Sequence, residues 1–266
     1  MAVDTVLAFS TQAAASAFPT ALAATTGDSL QVRGTSGDTK AHLLSAIFSA
    51  DATGNKFRIT SPLLHDNVTG LTWKNPDNPA AFLVPDYSSV ELNELDTLGV
   101  NGQCGAATTI TAGLVIAYDD VRGQAADLYR WSDISPDIRY IKAIEVSLNA
   151  IAVGAWTDTA ITNTEDQMHA NKSYAILGYV PVPAVDIVGI KGIATGNLRF
   201  CGPGLSQTLD IANYFIRMSE LHQRPLIPVV QSNDRKGIFV SAAHHAAVGA
   251  GAAEVFLNVA ELKSTK

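Results

Sequence analysis

Short apolar runs that stop at proline, glycine or asparagine every few residues limit most what this chain can fold into. They are densest between Ser173 and Gly204. There the runs 174–180 and 185–190 are parted by Pro181 and Pro183. A Gly196-Asn197 corner, a third run at 198–200 and the stop Gly202-Pro203-Gly204 follow. β-Branched and aromatic side chains fit a pleated, half-buried surface, and proline cannot donate to an interior ladder. The stretch therefore predicts three short strands with tight corners rather than a helix.

The rest of the chain repeats this manner. In the first half, strands are expected over 30–33, 43–48, 56–60, 71–73, 82–84, 90–95 and 108–118, with Gly34, Gly37, Gly54, Asn55, Asn75-Pro76 and Asn78-Pro79 as breaks. Phe57 and Ile59 alternate with Lys56, Arg58 and Thr60, the mark of a strand with one wet face. In the second half the strands are expected over 140–153, 174–180, 185–190, 198–200, 214–218, 226–230, 238–242 and 254–259. Helical candidates are few: a short helix around Val3, Val6, Leu7 and Phe9, the segment 124–131, and a turn starting at 209–215. Antiparallel sandwiches follow from so many short strands and so few helices.

A break at Ser135-Pro136-Asp137 divides the chain into halves of similar length. The expected organisation is an N-terminal arm over 1–28, a first β domain over 29–136 and a second over 137–266. Each half holds roughly eight strand candidates, the number one jelly roll needs. A faint echo links the halves, AGLVIAYDD at 112–120 and YAILGYVP at 174–181.

Charge and motifs narrow the functional classes. Of the 266 residues 47% are apolar and only 16% charged, which excludes disorder and favours burial within the chain or against copies of it. A net charge of −7 speaks against a nucleic-acid footprint, and residues 1–32 contain no Lys or Arg. Cys104 and Cys201 have no metal spacing and read as small buried hydrophobes. No charged leader precedes Arg33 and no apolar run reaches membrane-spanning length, so the expectation is a chain made in a host cytoplasm, where the sequons at Asn67 and Asn171 carry no meaning.

The run Leu114-Val-Ile-Ala-Tyr-Asp-Asp120 has the outline of a Walker B strand, but no P-loop accompanies it, and a buried strand ending in a solvated turn is the reading kept. Gly196-Asn197 and Gly202-Pro203-Gly204 read as corners rather than anion cradles. His244-His245 would point to opposite faces of a strand, and His42, His65, His169 and His222 lack metal-site spacing. No GxSxG elbow is present. Trp73, Trp131 and Trp156 could form a sugar platform but read first as core or interface anchors. No catalytic, cofactor-binding or metal-binding residue is assigned.

Strand-rich halves, low charge, loops rich in Asn, Pro and Gly, and an Ala-rich arm together resemble the double jelly-roll major capsid proteins of tailless, membrane-containing bacterial viruses. The resemblance implies an all-β fold of two side-by-side jelly rolls, with an arm and short helices. It also implies trimers that tile a shell, with loops such as 75–80 and 158–166 on the outside. The expected function is that of a structural, self-assembling coat or shell subunit of a virion, not an enzyme. Its partners would be copies of itself and other virion proteins, with no sequence-specific nucleic acid, no cofactor and no transmembrane segment. The alternative is a carbohydrate-binding β-sandwich or a β-sandwich glycan enzyme.

Overall fold

The structure is a computed structural model that describes residues 2–10, 20–21, 23–24, 30–32, 41–50, 55–61, 71–75, 80–83, 90–103, 110–118, 128–150, 156–161, 168–182, 187–193, 199–203, 212–232, 239–244 and 249–264. It is mostly β-strand with few helices, arranged in several antiparallel sheets. In the first half, one sheet runs β3 (Ala23–Ala24), β1 (Ala2–Ser10), β10 (Ile110–Tyr118), β4 (Ala41–Ala50), β7 (Ala80–Leu83), with β8 (Val90–Leu92) also paired to β4. A second runs β2 (Thr20–Ala21), β9 (Gly99–Gln103), β5 (Asn55–Thr60), β6 (Leu71–Asn75).

In the second half, a five-stranded sheet runs β11 (Leu128–Tyr129), β17 (Ile227–Gln231), β14 (Ser173–Val182), β19 (Glu254–Leu262), β12 (Ile138–Ser147). A four-stranded sheet runs β13 (Trp156–Ala160), β18 (Phe239–His244), β15 (Ile187–Ile193), β16 (Arg199–Pro203). Helix α1 (Trp131–Ile134) leads into a 3-10 turn (Ser135–Asp137), and α2 (Tyr214–His222) packs on β14 and β17.

The strand alternation read from the sequence has its expected cause. In β5, Phe57 and Ile59 are buried while Lys56 is exposed. In β12, Ile144 and Val146 face the core, and Glu145 and Ser147 face outward. Strand β14 is buried without interruption from Ser173 to Tyr179, because sheet neighbours flank it and α2 covers it. A strand covered on both faces reads as a continuous apolar run.

Buried side chains fall into two clusters. One gathers Val32, Leu43, Phe57, Ile59, Leu98, Leu114 and Ile116 of the first half. The larger gathers Ile144, Tyr174, Ile176, Tyr179, Phe215, Ile227, Val255 and Leu257, together with Leu128 and Ile134 and with Leu44 and Ala117 from the first half. The halves also touch where β1 and β10 lie against β15 and β16.

Several expectations are corrected. Residues 2–10 form β1, not a short helix, and that strand is built into the sheet along β10 with Ala2 opposite Tyr118 and Ser10 opposite Ile110. A nine-residue ladder satisfies the backbone of this segment, which its lack of charge left ambiguous. Of the segment 30–33, Gln31 makes only an isolated bridge to Thr97. Of the described part of the segment 124–131, Leu128–Tyr129 pairs with β17 as a strand and Trp131 alone is helical, as the first residue of α1.

The segment 214–218 is helical rather than a strand. Tyr214, Phe215, Met218 and Ser219 bury one face while Arg217, Glu220 and Leu221 face away, a spacing that only a helix gives. Gln223 closes α2 in the left-handed region at φ 52°. Part of the loop expected over 158–166 belongs to β13, and its residues 162–166 lie outside the described residues. Gly202 and Pro203 continue β16 instead of ending it, and β16 is an edge strand, where proline is tolerated. Strand β9 escaped the reading because of its glycines, and a Cβ on Gly99 would come within 2.4 Å of Thr60 Oγ1.

Candidate functional site

The densest polar constellation among the described residues grows from three adjacent strands. Register sets Glu261 of β19 opposite Tyr140 of β12 on one side and Tyr174 of β14 on the other. Residues in one cross-strand row share a face, so all three side chains converge inside the sandwich. Glu261 is fully buried. Its Oε2 accepts from Tyr140 Oη at 2.5 Å, Tyr174 Oη at 2.7 Å and His169 Nδ1 at 2.8 Å, and its Oε1 accepts from Arg139 Nη1 at 3.0 Å.

Local backbone irregularities supply the last two donors. The β12–β19 register steps from Ile138↔Leu262 to Tyr140↔Glu261, which leaves Arg139 as a bulged residue, re-aimed at the carboxylate. His169 comes from the turn before β14, where Asn171 takes a left-handed φ of 58° that asparagine tolerates well. The His169 backbone N–H donates to Tyr174 Oη at 2.8 Å, so Tyr174 links the turn to Glu261. Lys142 sits over both rings, its Nζ 5.2 Å from the Tyr174 centroid and 5.8 Å from that of Tyr140.

Burial alone would push the Glu261 carboxyl up, but hydrogen bonds from Tyr140, Tyr174, His169 and Arg139 outweigh it and bring it down to about 2. Tyr174 is held well above the usual phenol range, first by burial and then by its bond to Glu261. Tyr140 is raised for the same two reasons, and burial lowers the Lys142 ammonium. The chemistry of such a set is that of a clamp. A carboxylate with a value near 2 and four donors on its oxygens is a poor base, and phenols raised this way are poor nucleophiles.

The first half carries a buried carboxylate of its own. Asp96 accepts a hydrogen bond from Ser61 Oγ, while Val32 N–H donates to the Asp96 carbonyl at 2.7 Å. Here burial dominates and raises the carboxyl, with a backbone bond at Thr97 acting weakly the other way.

An open cleft of about 180 Å³ lies between α1 and α2, lined by Arg130, Trp131, Ser132, Ser219, Glu220 and Gln223. Ser219 Oγ is committed there, accepting from Trp131 N–H at 3.3 Å and donating to the Arg224 carbonyl at 2.8 Å.

The residues singled out in the sequence are scattered. Leu114–Tyr118 lies in β10, a central strand, while Asp119 and Asp120 fall outside the described residues. His42 lies on β4, His222 ends α2 and His244 ends β18, while His65 and His245 lie outside the described residues. Trp73, Trp131 and Trp156 lie on β6, α1 and β13, so no one sheet face carries the three. Cys201 is in β16, and Cys104, Gly196, Asn197 and Gly204 lie outside the described residues. Among the described residues, no three His, Cys, Asp or Glu side chains are grouped to hold a metal ion, and no helix is long and apolar enough to cross a membrane.

Sequence reasoning named His169 but missed its partners Glu261, Tyr140, Tyr174 and Arg139. The available signal was Glu261 itself, the acid that follows the apolar run 255–260.

No protein-family model matches the chain, and no curated protein does. Among solved structures, the chain is similar to one described as the crystal structure of the STIV MCP. The two share 8% identity over 97% of each chain, with a TM-score of 0.22, a likeness too loose to carry an argument.

Proposed function

We propose that this chain is a structural, self-assembling shell subunit, a viral (bacteriophage) major capsid protein or a coat-like equivalent, built of two jelly rolls and without catalytic activity. Strand order is the observation that carries the reading. Eight strands laid out as one long antiparallel hairpin pair first with last, second with seventh, third with sixth and fourth with fifth. Rolled into two sheets, that hairpin reads 1-8-3-6 and 2-7-4-5. Counting β1, β2, β4, β5, β6, β7, β9 and β10 as one set, the first half gives β1-β10-β4-β7 and β2-β9-β5-β6. Counting β12 to β19, the second half gives β12-β19-β14-β17 and β13-β18-β15-β16. Both halves follow the same order, with β3, β8 and β11 as additions.

The reading moves two boundaries. Strand β1 takes the first place in its barrel, so residues 2–10 belong to the first unit rather than to an arm. The division falls between Tyr118 and Leu128, because β11 and α1 pack with the second cluster.

Two rolls in one chain and low charge favour a tile over an enzyme. We place it in a virion, as a trimer or larger assembly of its own copies with other virion proteins as neighbours, and with neither cofactor nor sequence-specific nucleic acid. Electron microscopy and light scattering of the purified chain should find trimers, tiles or closed particles. A chain that stays monomeric across concentration and ionic strength would overturn the reading.

A carbohydrate-binding sandwich is the second reading, and the observation that favours it is Trp131 beside Arg130, Glu220 and Gln223 in the α1–α2 cleft. A glycan that raises the melting temperature, and no longer does so in Trp131→Ala, would put this reading first.

A further inference from the structure

Lys142 is the member of the Glu261 cluster that Glu261 does not hold. It shares the inward face of β12 with Tyr140 and Ile144 and is partly buried. Among the described residues its Nζ makes no hydrogen bond and no ion pair, and it lies against the Tyr174 and Tyr140 rings. An ammonium has three N–H donors, and ring faces answer its charge only in part. Taking a charge out of water without a counter-charge is costly. The Glu261 charge reaches Lys142 through space, but four other donors already stand on its oxygens.

Two further basic groups surround the same ring. Arg139 Cζ lies 5.9 Å from the Tyr140 ring centroid, and the His169 ring centroid lies 6.1 Å from it. Arg139 commits Nη1 alone to Glu261, and His169 commits Nδ1 to Glu261 and Tyr140. The other guanidinium N–H groups and the imidazole Nε2 are left over. These two side chains are 57% and 59% exposed, so a solute can reach them. Their acid, by contrast, is fully enclosed. Arg139 and Lys142 against Glu261 leave one positive charge, and a protonated His169 makes it two. In a chain with 25 Asp and Glu against 18 Lys and Arg, such a cluster is a local feature and not a consequence of composition.

We propose that Arg139, Lys142 and His169, gathered around the Tyr140 ring, bind a phosphate group, carried as inorganic phosphate or as a small monoester. The unused donors belong to three side chains. A planar carboxylate offers two oxygens and one charge, whereas a phosphate monoester offers three oxygens and a charge of about −1.5 to −2. It can engage all three side chains and match their charge. Arginine supplies a fork of donors and lysine a point charge, and both suit phosphate. Glu261 is the positioning acid of this site. It pins one nitrogen each of Arg139 and His169 and leaves the rest for the ligand. The site does not rest on the shell reading, since it lies within one chain.

Calorimetric titration and amine labelling test it. At fixed ionic strength, inorganic phosphate should bind saturably with a Kd on the order of 0.1–1 mM, because two of the side chains are exposed to screening. Glycerol phosphate serves as the monoester, and the tighter of the two ligands identifies the source. Acetate should bind roughly tenfold more weakly or worse, and Lys142→Met and Arg139→Gln should each weaken phosphate about tenfold. Unchanged circular dichroism keeps either loss from being misread as unfolding. A second measurement needs no substitution. In the parent chain, phosphate should slow acylation of Lys142 by an N-hydroxysuccinimide ester, read by mass spectrometry, and leave the exposed Lys56 of β5 unaffected. Absence of saturation up to about 10 mM for both ligands, acetate binding as well as phosphate, or Lys142 no better protected than Lys56 overturns the proposal. None of these results depends on whether particles form.

Discussion

Among the described residues each half of the molecule buries one acid, and the two acids are pushed in opposite directions. Glu261 is fully enclosed yet held near 2, whereas Asp96, 6% exposed, is held above its ordinary value. Burial acts on both and raises both. The difference lies in the donors: four side chains point at the Glu261 carboxylate, against one hydroxyl and one backbone bond at Asp96. Burial of a charge therefore does not fix its sign of effect, and the number of donors does. It also separates two ways of burying an acid, with four side-chain donors in the second half and with few donors in the first.

The comparison can be broken first at the level of the cores. Tyr179→Ala empties a fully buried site beside Tyr214 and Phe215, and Phe57→Ala does the same in the other cluster. Each should cost about 3–5 kcal/mol. If the halves are separate folding units, calorimetry will show each variant lowering a different transition. One shared transition would mean that the contact through β1, β10, β15 and β16 welds them together.

Next in size are the acids themselves. Glu261→Ala strips the common acceptor from the buried Tyr174 hydroxyl and should cost about 3 kcal/mol in urea unfolding, while Asp96→Asn should cost less than about 1 kcal/mol. Equal losses would remove the distinction between the two buried acids.

Their pH dependence should have opposite signs. The Glu261 contribution is complete above its unfolded value of 4.5 and is lost as pH falls toward 2. Screening at the exposed Arg139 and His169 keeps it to no more than about 3 kcal/mol. The Asp96 contribution is present below 3.8 and lost as pH rises through its raised folded value. Denaturation measured from pH 2 to 6 on Glu261→Ala and Asp96→Asn should flatten the curve in opposite directions.

The smallest effect expected is at the seam between halves. His222, at the end of α2, bonds the backbone of Leu44 and leaves Nε2 buried without a partner, and burial lowers its value below 6.5. Its neutral form is the one the fold accepts, so stability should decline by about 1 kcal/mol or less as pH drops below 6.5. His222→Gln should remove that slope, and a slope that persists assigns the decline elsewhere.

The strands were legible wherever pattern and burial agreed. Lys56–Thr60 alternates because one face of β5 is wet, and the run from 174 is unbroken because β14 is buried on both faces from Ser173 to Tyr179. Legibility failed where partners far away in sequence decide. Leu128–Tyr129 has no strand pattern of its own and is a strand because β17 lies beside it. Tyr214–Met218 is apolar enough for a strand and is helical because one side of it meets β14. The echo between 112–120 and 174–181 was misleading, because β10 and β14 hold different places in their sheets and share only the composition of interior strands. The Glu261 clamp was illegible for a further reason. Its members come from a bulge, a turn and three strands, and nothing but register brings them together.

The register between first and last strands also sets when the protein can exist. Ala2 pairs with Tyr118, and Ile138 pairs with Leu262. While the chain is being made, β1 must wait for most of the first half before its partner emerges, and β12 must wait for nearly all of the second. Pairing at such separations is slow, because loop closure comes before any contact rewards it. If the halves are separate folding units, the first can finish while the second is still being synthesised, and the nascent chain need not expose both unpaired edges at once.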